Sequence, residues 1–447
     1  MHADNFVDTF KLPGRALIAA LVFFALLASH PALAKEIVIF NQTSSTANPI
    51  SELVADSNGV LYGTASLGGP SEFGSVFSVN PPAEGQTAWT ETVLYTFQGG
   101  TDGIAPNTPL IPDGQGGFYS TTLQGGTGPC PLLFGVPGCG TIFHLSPPAQ
   151  GETDWTETII YSFQGGNDGA FPGTLLRDPN TGVFYGVTFI GGSYGAGIAF
   201  SLTPPSQGQT NWTEAILHTF TGGSDGGYPY CTFHEDASGA LYGTATTGGF
   251  LGSGDVYKLT PPTQGETNWT ETVLYSFGGE GFGDAGNPSN NLLADASGNL
   301  YGIATTGGSG VVPVNVGAIF ELSPPSGGGT TWTETIIYSF TGAKDGADPD
   351  NDLIMDGKGV IYGATDSAGI HENGTTFKLE PPAAGQTAWT FKLLWDFRGD
   401  PDGKNPAGGL TPVKLGKKWV LFGESLNGGT NDSDGDVYEL TNTGYVP

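Results

Sequence analysis

Aspartate is the one chemistry-bearing residue type that recurs at a fixed place along this chain. Asp102, Asp168, Asp225, Asp345 and Asp402 each stand immediately before a glycine, and Asp284 occupies the comparable place before Ala285. Carboxylates gathered on one face of a scaffold hold hard cations such as Ca²⁺ through oxygen ligands. An aspartate before glycine also closes its own turn by accepting backbone amides, and that is the expected role. Asp432, Asp434 and Asp436 form a second oxygen-rich string, without the distal glutamate or the glycine placement of an EF-hand loop. Both sets are weak metal candidates, Ca²⁺ being the ion they would take, and no other cofactor is expected.

Nucleophilic and transition-metal chemistry find less support. Gly191–Gly195 around Ser193 and Gly222–Gly226 around Ser224 match the Gly-x-Ser-x-Gly pattern, but a nucleophile elbow needs a helix after its strand and no helical period follows either. His144, His218, His234 and His371 fall in unrelated stretches with no paired spacing, which argues against zinc. No catalytic residue is assigned. Cys130 and Cys139 flank an insertion and are expected to pair as a disulfide in an oxidising compartment. The odd count leaves Cys231 over, expected as a buried, inert thiol at the start of a strand.

The elements that position these residues repeat. In Phe233–Phe277, β-prone runs around Thr232–His234, Ala240–Thr246, Asp255–Leu259 and Thr270–Phe277 are separated by Ser-Gly, Gly-Gly and Pro-Pro. The unit recurs with marker aromatics Tyr62, Tyr119, Tyr185, Tyr242, Tyr301, Tyr362 and Phe422, a period characteristic of repeat architectures. Six complete units span 50–97, 107–163, 173–220, 230–277, 289–340 and 350–397. A seventh, Leu410–Leu440, stops before its fourth strand, while Lys35–Phe40 resembles a fourth strand with no unit of its own. Chain ends divided in this way close a ring, so the sequence predicts an all-β, seven-bladed propeller of four-stranded antiparallel blades, its last blade completed by the N-terminal strand.

Alternation assigns the core. Tyr257 and Leu259, and the matching pairs in other units, lie two residues apart on one strand face; Val273, Tyr275 and Phe277 are expected to share a face likewise. Gly243, beside Tyr242, suggests close approach of backbones. The turns such as Asp295–Gly298 and the Pro-Pro turns fall on one rim. The Gly-Gly loops and the Gly-x-x-Asp-Gly connections fall on the other, together with the cysteine insertion, Phe250–Gly254 and Val311–Val316. Variable loops on a fixed scaffold make this second rim the place for a site.

Residues 1–34 read as a secretory signal peptide: Lys11 and Arg15 precede the apolar run Ala16–Ala28, and Ala32-Leu33-Ala34 supplies a small-x-small cleavage site. The mature product, 35–447, is expected as a single propeller domain, monomeric, periplasmic or released, with no later membrane span. Cleavage removes two of the 14 basic and two of the 43 acidic residues, so the net charge stays at −29. Such a surface repels nucleic acid and anionic lipid and favours cations, neutral glycans or basic proteins.

The strings L-Y-G-T-x-x-x-G-G, G-x-[VI]-[FY]-x-L and W-T-E-T-[VI]-[LI]-Y-S-F, seen at Gly63, Gly68-Gly69, Gly74 and Val76-Phe77 and at their counterparts, resemble the bacterial exported tandem-repeat group called choice-of-anchor tandem repeat GloVer-containing proteins, over residues 36–440. Members typically end in a surface-anchoring tail, and none is legible in Asn442–Pro447. The resemblance supplies no activity. The leading functional expectation is a non-enzymatic binding or scaffold propeller of the cell envelope or exterior, recognising a glycan, a peptide or an envelope protein through the variable rim. The alternative is a metal-assisted enzyme acting on a sugar or lactone, for which carboxylates would have to converge at the ring axis.

Overall fold

Threonine, valine, leucine and tyrosine in Thr270–Ser276 suit a half-buried pleated surface, and this outer strand pairs antiparallel with Asp255–Thr260, which pairs with Leu241–Thr247. The inner strand comes in two pieces, Gly227–Pro229 and His234–Glu235, both on Leu241–Thr247. The computed structural model, which describes residues 34–131, 137–279, 283–308, 316–326, 331–429 and 434–447, repeats this arrangement in seven sheets. Expectations for residues 1–33, for 311–315 and for Asp432 lie outside the described residues. The fold is a seven-bladed β-propeller, and the described residues contain no α-helix. None of their helices is long and apolar enough to cross a membrane.

Ring closure follows the division seen in the sequence. Lys35–Asn41 pairs antiparallel with Asp436–Thr441, from Lys35 opposite Thr441 to Asn41 opposite Asp436, and completes the sheet begun by Lys404–Leu415 and Lys418–Asn427. Trp89 of the first blade meets Phe422 of the last edge-on at 5.6 Å. Blades are joined elsewhere by the aromatic that ends each outer strand: Phe97 on Phe143, Phe163 on Phe200, Phe220 on Tyr257 and Phe277 on Phe320, at centroid separations of 5.0–5.2 Å. These are preferred tilted or edge-to-face geometries in fully buried rings. At the closing seam the equivalent position is Gln42, whose amide donates to the Gly435 carbonyl as that of Phe277 donates to Gly254.

The units start earlier than the sequence suggested. The inner edge of each blade carries a proline preceded by a residue in the left-handed region, as in Asn48-Pro49, Ala105-Pro106, Phe171-Pro172, Tyr228-Pro229, Asn287-Pro288, Asp348-Pro349 and Asn405-Pro406. In each pair the first residue donates its amide to a carbonyl of the preceding blade, for example Tyr228 to Ala196 at 2.7 Å and, across the closing seam, Asn48 to Asp434 at 3.2 Å. The proline ring then lies over the glycine that opens that blade's third strand. A Cβ on Gly254 would meet Pro288, and one on Gly435 would meet Pro49, closer than 3.0 Å, and both glycines have positive φ. This amide and proline clasp repeats at all seven seams and explains a glycine in every unit.

Two local expectations are corrected. Val256 pairs with Tyr275 but the next residue, Tyr257, pairs with Val273, so a one-residue bulge leaves Leu274 over. The bulge turns Tyr275 to the opposite face from Val273, since a single-residue slip reverses the alternation. Tyr275 and Phe277 consequently pack toward the next blade while Val273 shares the Tyr257 face. Beside Tyr242, a Cβ on Gly243 would meet the Tyr257 ring rather than a backbone. Cys130 and Cys139 form the expected disulfide, with Cα atoms 5.0 Å apart; closing so short a loop is worth about 2–3 kcal/mol in the chain-entropy model.

Candidate functional site

Each Asp-Gly turn closes on itself. Asp102 accepts the Gln98 amide and the Tyr95 hydroxyl at 2.5 Å, and Asp168 accepts those of Gln164 and Tyr161 in the same way. Asp225 accepts the Thr221 amide and hydroxyl and meets His218, and Asp345 accepts from Thr341 and Tyr338. Asp402 accepts the Arg398 amide and the Trp395 indole, and Asp284 the Gly278 amide. The donors are the loop's own amides and hydroxyls and a polar aromatic near the end of that blade's outer strand, so each carboxylate is used where it stands. In the other string, Asp434 contributes its carbonyl to the seam, and Asp436 is fully buried in the last blade. Added Ca²⁺ is therefore expected to leave the melting temperature unchanged once general salt effects are matched with NaCl; a saturable rise on titration would give these turns a ligand role.

The other sequence candidates stay apart. Ser193 sits in a loop between two strands and meets only Asn167 among its described partners, at 3.3 Å. His144 pairs with Asp113 at 3.0 Å and stacks on Tyr119, while His371 pairs with Asp396. Cys231 is buried beside the Tyr257 hydroxyl at 3.8 Å, and burial pushes its thiol up.

Three carboxylates border a chamber at the axis, without forming a group of three that could hold a metal ion among the described residues. The seven inner strands surround a chamber of about 90 Å³ bounded by Ser51, Glu52, Asn107, Thr174, Tyr230, Asn290, Asp350, Asp352 and Gly408. Hydrogen bonds link neighbouring inner strands around it: Asn290 to the Tyr230 carbonyl, Asn291 to the Asp352 carboxylate and Asp352 to the Gly408 carbonyl, at 3.0, 3.0 and 2.8 Å. Burial first, and then the Asp352 charge, pushes the Glu52 carboxyl up to about 8. Burial and Asp350 push Asp352 up to about 6 despite the Asn291 amide. Tyr230 is pushed up to about 12, again by burial before the two aspartates.

On the Gly-Gly rim the chamber opens into a mouth of about 490 Å³ lined by Ile50, Asn107, Tyr230, Asp348, Asp350, Asn351 and Asp366. Tyr230 is 40 % exposed, and the surface it shows faces this channel. Protein encloses the group while water reaches it, so a ligand would meet a low-dielectric environment. Burial, followed by Asp366 and Asp348, raises Asp350, which accepts from Asn290 at 3.3 Å; burial and Asp348 raise Asp366. Next to Tyr230 the exposed rings of Phe189 and Tyr228 complete an aromatic cluster, Phe189 lying tilted 5.4 Å from Tyr228 and edge-on 6.2 Å from Tyr230.

A groove of about 600 Å³ on the Pro-Pro rim, between the fifth and sixth blades, is lined by Tyr301, Met355, Lys358, Pro381 and Trp389. Its Trp389–Tyr301 packing recurs as Trp269 on Tyr185 and Trp212 on Tyr119, so it belongs to blade stacking. The mouth residues are not repeated from blade to blade. Asp348, Asp350 and Asp352 crowd the string Asp-Pro-Asp-Asn-Asp, and that density of carboxylates just before an inner strand was the available sign that several reach the channel. Phe189, Tyr228 and Tyr230 carried no such sign, since they come from two different units.

The sequence profile of the Gloeobacter/Verrucomicrobia repeat matches residues 23–230 and 134–334. No curated protein matches the chain. Among solved structures, virginiamycin B lyase from Staphylococcus aureus, crystallised with quinupristin in a catalytically inactive form, is similar at TM-score 0.50 and 13 % identity, covering 91 % of this chain and 99 % of that one. The periplasmic gluconolactonase of Pseudomonas aeruginosa is similar at TM-score 0.50 and 13 % identity, covering 84 % and 98 %. A polysaccharide lyase is similar at TM-score 0.50 and 12 % identity, covering 91 % and 98 %. At such identities the likeness is one of fold.

Proposed function

The chain belongs to the Gloeobacter/Verrucomicrobia repeat family, and from that membership and the channel geometry we propose that it is an exported binding propeller that takes a glycan at the mouth on its Gly-Gly rim. The observation that carries this reading is Tyr230, which lines the mouth with Phe189 and Tyr228 clustered next to it, beside the amide and carboxylate lining of Asn107, Asp350 and Asp366. Sugar rings present apolar faces that aromatic rings cover and hydroxyls that amides and carboxylates bind, and a concave site with few polar groups at its centre fixes orientation. Export follows from the signal-like segment at residues 1–34 and suits the disulfide. A glycan-array screen of the 35–447 protein tests the reading: binding of a discrete set of oligosaccharides is expected, and an array without hits would count against it.

A second reading, a metal-assisted enzyme on a sugar or lactone, would draw on the axial carboxylates Glu52, Asp350 and Asp352, although among the described residues they form no group of three that could hold an ion. It requires turnover of the array hits that a chelator abolishes, whereas binding that survives chelation without turnover supports the binding propeller.

A further inference from the structure

Acidic groups line the channel with no base among them. Glu52, Asp350 and Asp352 bound the chamber, Asp348, Asp350 and Asp366 bound the mouth, and neither lining includes a lysine, an arginine or a histidine. Field lines from like charges concentrate in such a cleft. The carboxylates keep acceptor capacity, since Asp348 takes one donor from Ser367 at 2.6 Å and Asp350 takes Asn290 at 3.3 Å and meets the Ser289 hydroxyl, against about four lone-pair sites each. A separate sign points the same way: the side-chain oxygen of Asn107 is buried, lines chamber and mouth alike, and accepts no hydrogen bond from the protein.

We propose that the glycan recognised at this mouth carries a free amino group, taken up as an ammonium between Asp350, Asp366 and the Asn107 oxygen with the Tyr230 ring at its side. The proposal rests on the glycan reading. An ammonium offers three donors to acceptors that have none to spare for one another, and an aromatic face beside a carboxylate attracts it further. A bound metal ion would need three or more ligands about one point, and no such group of carboxylate, histidine or thiol side chains occurs among the described residues.

Titration of the 35–447 protein with the glucosamine tetramer and with its N-acetylated counterpart, at one ionic strength and at pH 6, tests it. The free amine is expected to bind about tenfold tighter, as a charge-assisted hydrogen bond allows. That advantage should shrink to less than about twofold in the Asp350→Asn, Asp366→Asn protein, whatever loss of affinity the two tetramers share there. The double variant alters only two charges of a net −29, so an advantage that persists in it would trace to the general field and overturn the proposal. Equal or tighter binding of the N-acetylated tetramer would overturn the amine and leave the glycan reading intact. Should neither tetramer nor any other array glycan bind, both fall. Asp350→Asn alone, at an exposed position, provides the same comparison if the double variant melts early.

Discussion

A chain lacking Lys35–Phe40 will fail to fold, or will melt about 6–12 °C below the intact protein. The missing strand leaves Asp436–Thr441 as an unpaired edge. It also removes Ile39 and Phe40 from the cluster that holds Leu53, Phe77, Phe422 and Val437. Apolar side chains of this size contribute about 1.5–3 kcal/mol each when buried, and the ladder hydrogen bonds add to that. The total is on the order of 5–10 kcal/mol, as large as the whole stability of an ordinary domain. Supplying the strand as a separate peptide should restore part of the melting temperature. A truncated protein that melts with the intact one would refute ring closure by this strand.

Raising the pH from 5 to 9 will destabilise the protein, because glutamates of the outer strands are buried against aspartates of the preceding blade. Burial first, then the neighbouring aspartate, pushes Glu157 up to about 8 beside Asp102, Glu214 to about 7 beside Asp168 and Glu271 to about 7 beside Asp225. Glu36 is pushed to about 9, with Asp402 next to it at the closing seam, and Glu334 is raised in the same way beside Asp284. One oxygen of each of the five is buried without a hydrogen-bond partner. A carboxyl with its folded pKa above its unfolded one contributes stability that is complete below about 4.5 and is lost as pH rises through 7 to 9. Discounted for screening to about 1 kcal/mol per group, five such seams predict a fall of about 6 °C. Glu157→Gln with Glu214→Gln should flatten the slope, since glutamine keeps a donor and does not ionise. A melting temperature constant or rising over this range would show that the pairs are solvated.

Repetition made the scaffold legible. The Tyr-Gly, Gly-Gly and Pro-Pro punctuation located the strands, and the unmatched Lys35–Phe40 located the closure, because every unit must bury the same face. The bulge at Leu274 was hidden, since an added residue leaves the apolar pattern unchanged and shows only in the pairing of Tyr257 with Val273. The start of each inner edge was hidden by the left-handed residue before each proline, a conformation that four Asn or Asp side chains favour but that Ala105, Phe171 and Tyr228 do not advertise. The site was the least legible part. Its residues are those that depart from the repeat, and only ring closure brings Asn107, Phe189, Tyr230 and Asp350, from different blades, to one opening.

The central claim, that ligand enters at this opening, is tested most directly by measuring the affinity of the best array glycan for the intact protein, for Tyr230→Ala with Phe189→Ala, and for Lys358→Ala in the groove on the other rim. Loss of one aromatic stacking partner or more predicts at least a tenfold weaker Kd for the aromatic variant and an unchanged Kd for the Lys358 variant. Unchanged binding by the aromatic variant, with loss in the Lys358 variant, would move the site to the Pro-Pro rim and contradict the account.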